Sequence, residues 1–296
     1  MNQQTLTLHV ADSVAQEAVV KTLQSLGLQQ DSDKSEYTLW RMRGEGVVAI
    51  LYTSGKLVVQ GIKASQIVNE LDLMKRSDKK FTAHIGVDEV GKGDYFGPLV
   101  VVAAYVSGDT VGELEKLGVG DSKKLSDSRI RELGAKLQEI LSHREIAVTP
   151  SEYAELNSEL GNVSILLAQK HAQAVSELDG VLKEDGVVCE EVVFDQFSKR
   201  KDRLVKELAQ RGVTMGISQF HKGESDIAVA AASILARYYF LQRWDQMESE
   251  YEFQFPKGAS EVIDAGKEFV AKFGAQELEK VAKVSFKTTG QILQLF

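Results

Sequence analysis

The sequence predicts an α/β protein in two domains, a small α+β module over residues 1–78 and a larger α/β domain over residues 79–296. Three observations lead there. The 296 residues, 43% of them apolar, are enough for one large or two modest cores. A polar stretch, "KRSDKK" at 75–80, separates a helical pattern ending near Met74 from the strand-like "FTAHIGVDEV". The charge balance changes at the same place. The first 80 residues hold ten Lys and Arg against nine Asp and Glu, whereas the whole chain carries a net charge of −8, so the acidic excess lies beyond that stretch.

In the first domain "TLTLHV" alternates as a strand. "DSVAQEAVVKTLQSLG" follows, with an N-cap candidate at Asp12 or Ser13, Val14, Ala18, Val19 and Leu23 at helical spacing, and Gly27 as its stop. Three strands come next, "EYTLWRMR", "GVVAILY" and "KLVVQG", the last two joined by a Thr-Ser-Gly turn, and the helix "ASQIVNELDLMK" closes the module. This β-α-β-β-β-α order predicts a curved antiparallel sheet backed by two helices, a shape suited to docking. Tyr37, Trp40, Arg41 and Arg43 combine aromatic and basic groups that can stack on and contact a nucleic-acid backbone. The same residues also suit an edge strand with a solvated basic face.

Composition narrows the function classes. The longest apolar stretches, such as "LVVVAAYV" at 99–106, are too short to cross a bilayer, and "MNQQTLTLHV" lacks the basic and apolar regions of a signal peptide, so a cytoplasmic location without membrane attachment is expected. A single cysteine, Cys189, rules out an intrachain disulfide and a cysteine-based metal knuckle, and is expected to be inert. The acidic total argues against bulk attraction to nucleic acid, though not against a local basic face.

The second domain opens on "GVDEVGKGDYFGP" at 86–98. Alternation along "FTAHIGVD" sends Asp88 to the same face as Gly86, and Glu89 would point away if the strand ran on. Gly91 and Gly93 permit a bend that brings both acids to one site. "GPLVVVAAYV" then returns as a buried strand of a hairpin. A dinucleotide-binding loop is excluded, because Gly91, Gly93 and Gly97 have GxGxxxG spacing and Pro98 leads into a strand rather than a helix. A P-loop fails because glycine follows Lys92.

Two further segments carry acids in a similar context. "EEVVFDQF" is a short buried strand ending on Asp195, which is either a functional carboxylate or a strand-end turn residue. "FHKGESDIAVAAASILARYYF" places Glu224 and Asp226 at the start of an alanine-rich helix whose Ala228–Ala232 body can pack closely on a sheet, with Ser225 a natural N-cap. Carboxylates converging on one cleft suit hard divalent cations such as Mg²⁺ or Mn²⁺, two of which can promote phosphodiester hydrolysis.

Together "GVDEVGKGDYFGP", "GVGDSKKLSD", "VVFDQF" and "HKGESDIAVAAASILAR" resemble the type 2 ribonucleases H, and the "DEVGKGDYFGP" form with an extra N-terminal domain resembles the ribonuclease HIII branch. The resemblance runs from about residue 82 to the end. The first domain resembles that branch's TATA-box-binding-protein-like module in element order. The family implies an RNase H-like catalytic domain, a central mixed sheet flanked by helices, that cleaves the RNA strand of RNA–DNA hybrids endonucleolytically with two divalent ions, Mg²⁺ or Mn²⁺, leaving 5′-phosphate and 3′-hydroxyl ends.

Carried over by motif, the resemblance implies that Asp88, Glu89 and Asp195 are metal ligands and that Glu224 is the fourth catalytic acid. The chain is about one residue short before the helix, which leaves Asp226 as an alternative. The loop Gly91, Lys92 and Gly93 corresponds to one that contacts the RNA 2′-hydroxyl, where a main chain free of Cβ atoms can approach closely. Ser122, Lys123 and Lys124 would contact phosphates; without the family they read equally as a solvated loop before a helix starting near Ser126. No obligate protein partner is implied, and a monomer is expected. Two rivals are a hybrid- or single-strand-binding protein that does not cut and a DNA exonuclease using four acids; the glycine loop argues against the latter.

Overall fold

The computed structural model describes residues 4–10, 13–31, 37–78, 81–195, 201–220, 223–258 and 261–294, and the N-cap candidate Asp12 lies outside them. The chain folds as two compact units, Met1–Lys80 and Phe81–Phe296.

The first unit runs β1 (Gln4–His9), α1 (Ser13–Ser25), β2 (Gln29–Gln30), β3 (Thr38–Gly44), β4 (Val47–Tyr52), β5 (Lys56–Gly61) and α2 (Ala64–Asp78). Its sheet has the order β1-β5-β4-β3-β2 with every pair antiparallel. The short β2 is an addition to the expected order. Alternation along β4 and β5 puts Val47, Ala49, Leu51, Leu57 and Val59 into a core with Val19, Leu23, Ile67 and Leu71 of the two helices. Strand geometry divides the aromatic-basic stretch. Trp40 is in the core and only 9% exposed, so it is not a stacking platform, whereas Tyr37 is 67% exposed. Arg41 and Arg43 lie 3.5 and 3.1 Å from Asp31.

The second unit continues with β6 (His84–Val90), β7 (Leu99–Val106), α3 (Gly108–Leu117), α4 (Asp127–Ile140), β8 (His143–Val148), α5 (Pro150–Leu160), α6 (Val163–Glu184) and β9 (Glu191–Asp195). It ends with α7 (Lys201–Gln210), β10 (Gly216–Phe220), α8 (Ile227–Tyr251), α9 (Val262–Phe273), α10 (Leu278–Val281) and α11 (Thr288–Leu293). The sheet order is β10-β9-β6-β7-β8, in which β10, β9 and β6 are parallel and β6, β7 and β8 antiparallel. Helices cover both faces. Val100, Val102 and Ala104 of β7 pack with α4 and α8, and Val101 and Ala103 of the same strand pack with α6 and α7. A strand buried on both sides must be apolar throughout, which is why "LVVVAAYV" shows no alternation.

One contact sets how closely the sheet meets α8. A Cβ on Gly86 would lie 2.0 Å from the Ala228 carbonyl carbon and 2.2 Å from the Val229 nitrogen. Glycine on the strand and alanine on the helix therefore let two backbones touch. Cys189 is buried, its thiol donates to the Glu191 carbonyl at 3.2 Å, and burial pushes its pKa up, as suits an inert residue.

Candidate active site

Strand β6 does not bend before Glu89. It runs on to Val90, and the two acids take opposite faces of the sheet. Asp88 pairs with Val102 in the antiparallel register and shares the α8 face, where Ser233 hydrogen-bonds its carboxylate. Glu89 pairs with Val101 and faces α6, with Oε2 3.2 Å from His171 Nε2. Lys92 Nζ donates to the other oxygen, Oε1, at 2.8 Å. The acids reach one cleft because both stand at the carboxyl end of the strand, beside the glycine loop that lines it.

Asp195 ends β9, the parallel neighbour of β6. The register ends by pairing Val87 with Phe194, the residues just before Asp88 and Asp195, and both acids line one cleft. Both therefore lie at the carboxyl ends of parallel strands, where α/β sheets place their ligand crevices. Gly223 packs on Asp195: its N–H donates to Oδ1 at 3.0 Å, and a Cβ there would lie 2.7 Å from the Asp195 Cα. This contact carries the backbone of Glu224 next to the acid. The Glu224 side chain itself is outside the described residues.

Asp226 is occupied otherwise. It is the N-cap of α8, accepting from the N–H groups of Ala228 at 2.9 Å and Val229 at 3.0 Å, so the cap is Asp226 rather than Ser225. It also accepts from His84 Nε2 at 2.9 Å, while His84 Nδ1 meets the Thr82 carbonyl at 2.7 Å. Both ring nitrogens thus face acceptors, an arrangement that suits imidazolium. Burial opposes that charge, but the bonds to Asp226 and Thr82 raise the His84 pKa above its ordinary value. Burial likewise opposes ionised Asp226, yet the His84 bond and charge and the two N–H groups hold it below the usual range.

The cleft, of about 520 Å³, is lined by Asp88, Glu89 and Asp195 together with Gly91, Lys92 and Gly93. Ser122, Lys123, Ser233 and Arg237 complete its other side. Lys124 is not part of it; its exposed ammonium lies 3.3 Å from Asp121. Ser122 is buried and its hydroxyl bonds that of Ser233 at 2.8 Å, so a chain of contacts joins Asp88, Ser233 and Ser122. Arg237 donates to the carbonyls of Ser122 and Leu125 at 2.6 and 3.0 Å and to Asp127 Oδ1 at 2.6 Å. It fixes the Ser122–Lys124 turn against α8.

Ser233, Arg237 and His171 are the site residues that motif reading missed. Ser233 and Arg237 stand four apart in the apolar run "AAASILARYYF", a polar pair on one helical face, and that spacing is the signal that points to them. His171 is a single histidine beside Gln169, Lys170 and Gln173 and gives no comparable signal.

The carboxylates are electrostatically unequal. Burial, then the Glu89 charge, pushes Asp88 up to about 6, against the bonds from Ser233 and the Glu89 N–H. Burial also opposes ionised Glu89, but the His171 bond and charge and the Lys92 ammonium outweigh it and hold Glu89 well below the usual range. This donor set fits hard divalent cations, since it offers carboxylate oxygens, and a cation would relieve the repulsion that raises Asp88. Among the described residues no three His, Cys, Asp or Glu side chains already converge as a metal-holding group. The three acids share a cleft without closing on one point.

Comparison with known proteins agrees with this chemistry. A sequence model of the ribonuclease HII family matches residues 85–289. The ribonuclease HIII of Protochlamydia amoebophila is 36% identical over 268 residues, 87% of each chain. That of Streptococcus gordonii is 36% identical over 273 residues, 89% of this chain and 90% of its own. The crystal structure of Bst-RNase HIII in complex with Mn²⁺ matches with a TM-score of 0.71 at 27% identity, covering 99% of both chains. With one family matching most of the second unit and relatives of a single kind spanning nearly nine-tenths of the sequence, the chain belongs to the ribonuclease HII family, on its ribonuclease HIII side, and is a ribonuclease H enzyme.

Proposed function

We propose that the protein cleaves the RNA strand of RNA–DNA hybrids endonucleolytically, leaving 5′-phosphate and 3′-hydroxyl ends, with Asp88, Glu89 and Asp195 holding two divalent ions, Mg²⁺ or Mn²⁺. The observation that carries the reading is that Asp88 and Asp195, at the ends of neighbouring parallel strands, line one cleft with the glycine loop. When bound, such ions lower the pKa of water and neutralise charge on the departing oxygen.

The chain's own groups have distinct tasks in this reading. Gly93 has open space where a Cβ would stand, so its main chain can approach a ribose 2′-hydroxyl, which both donates and accepts. Lys123, in the cleft wall, contacts a phosphate without reading sequence. Ser233 orients Asp88, and Arg237 holds the turn that carries Lys123. Glu224, adjacent to the Gly223–Asp195 contact, assists proton movement or product release. Lys124, ion-paired away from the cleft, reaches phosphate only by leaving Asp121.

The first unit has a role in holding substrate. On its sheet Arg41, Gln60 and Thr5 line a groove of about 200 Å³, and its exposed Tyr37 offers a stacking surface. In this reading the substrate-holding domain spans residues 1–78 and the catalytic domain residues 79–296.

The test is incubation with end-labelled RNA–DNA hybrid, all-DNA duplex and a duplex with one ribonucleotide, with Mg²⁺, with Mn²⁺ and with chelator. Metal-dependent internal cuts in the RNA of the hybrid are expected. Equal cutting of all-DNA duplex would support the exonuclease rival, and binding without cutting would overturn the catalytic reading.

A further inference from the structure

Lys283 is the most deeply buried cationic side chain among the described residues, with no exposed surface, and it lies outside the cleft. Its Nζ donates to the carbonyls of Asp94 at 2.9 Å and Gly97 at 2.6 Å and stands 5.7 Å over the Tyr153 ring. Burial pulls the amine down to about 7, with the Asp94 charge working the other way. A residue that only filled this space would be apolar, because burying an amine carries a desolvation cost that Met or Leu does not incur.

The two carbonyls belong to the loop that joins β6 to β7, the loop that begins with Gly91–Gly93. Around Lys283 the main chain is tied to the same loop. Its N–H donates to the Tyr95 carbonyl at 2.8 Å, Gly97 N–H donates to Val281 at 2.8 Å, and Phe96 bridges Ala282. The far half of the loop is thereby fixed, and the near half hangs from it. Gly91 has φ 90° and its Cα is so close to Pro98 that a Cβ would lie 2.1 Å from the Pro98 carbonyl oxygen, while Asp94 N–H donates back to Gly91 at 3.3 Å. A Cβ on Gly93 would meet nothing within 4 Å, so that position takes no packing from a neighbour, and next to it Lys92 reaches back to Glu89 at 2.8 Å.

We propose that Lys283 is a positioning residue that holds the Gly91–Gly93 loop at the height needed to meet a ribose, so that it governs hybrid recognition rather than the acid site. The inference rests on the ribose-contacting role given to that loop above. Lys283→Met keeps the volume and removes the donor. With the full-length variant shown to be folded, KM for RNA–DNA hybrid should rise at least about tenfold, roughly 1.4 kcal/mol, with kcat changed less than threefold. Mn²⁺ binding by calorimetry should be unchanged, and preference for hybrid over all-DNA duplex should fall.

Wild-type protein run alongside separates the two ideas. If it shows no preference for hybrid, the functional reading fails. If it is selective and Lys283→Met keeps the wild-type KM, or loses kcat and Mn²⁺ affinity instead, the positioning role is overturned. Should Lys283→Met not fold, Lys283→Leu, which likewise removes the donor, is read by the same criteria; failure of both to fold would assign Lys283 to the core alone and overturn the proposal.

Discussion

Asp88 is held at neutral pH in a form its surroundings disfavour. Burial and the Glu89 charge raise its pKa from 3.8 to about 6, which corresponds to roughly 3 kcal/mol against the charged form at most. A raised carboxyl pKa means that the folded state binds the extra proton between about pH 4 and 6. The penalty is therefore full above pH 6 and gone below pH 4. Asp88→Asn, whose oxygen can still accept from Ser233 and the Glu89 N–H, should abolish cleavage while largely preserving hybrid binding. Chelator-treated, it should be more stable than wild type by about 1–3 kcal/mol at pH 7, a gap that closes toward pH 4 in denaturant titrations. A second residue-level expectation concerns the glycine loop. Gly91→Ala conflates strain with function, since it forces a Cβ at φ 90° into Pro98, whereas Gly93→Ala meets open space. Gly93→Ala should keep the wild-type melting temperature and lose roughly tenfold in kcat/KM on hybrid, about 1.4 kcal/mol of transition-state stabilisation; unchanged kinetics would refute the ribose contact.

At the scale of elements, the start of α8 gives Asp226 a structural task and leaves Glu224 as the proposed fourth acid. Asp226 caps the helix and pairs with buried His84, so Asp226→Ala should cost about 1–2 kcal/mol of stability while the folded enzyme keeps most of its turnover. Glu224→Gln should do the reverse, losing turnover with little change in stability. Thermal melts and single-turnover rates on the same preparations check both. Much of this arrangement was legible. The period-2 pattern of "FTAHIGVD" put Asp88 on the face of Gly86, and the alanine run of α8 announced its close packing on the sheet. What the chain could not disclose were partners far away in sequence. Glu89 needs no bend because His171, on α6, receives it from the other face of the sheet. Trp40 read either as a nucleic-acid contact or as part of an edge strand with a solvated face, because only the assembled sheet decides which side of β3 faces the core. The adjacent Lys123 and Lys124 part company because one turn of chain sends the first into the cleft and the second to Asp121.

For the whole molecule, the division at Lys80 and Phe81 leaves each unit with a core of its own. The second unit carries the acidic excess and so repels a polyanion, and the proposed function therefore gives much of the affinity to the first. Removing residues 1–80 should raise the hybrid dissociation constant at least about tenfold, or roughly 1.4 kcal/mol, and flatten the logarithmic dependence of binding on salt because fewer phosphates are neutralised. Cleavage should persist at high substrate concentration. Binding across a salt series in Ca²⁺, with the shortened chain shown to be folded, tests this; equal affinities and slopes would mean that the first unit serves another purpose.

The backbone contact of Gly86 with Ala228 and Val229 also bears on how such an enzyme tolerates heat. Asp88 sits two residues beyond that contact on one side, and Ser233 a little over one helical turn beyond it on the other. Their separation is therefore gauged by touching main chains in the buried interior, where no methylene remains to be compressed or repacked. Loops around the cleft can soften with temperature while this gauge keeps its setting. Warming would blunt substrate capture first, and the spacing of the acid and the hydroxyl would survive until the core itself opens.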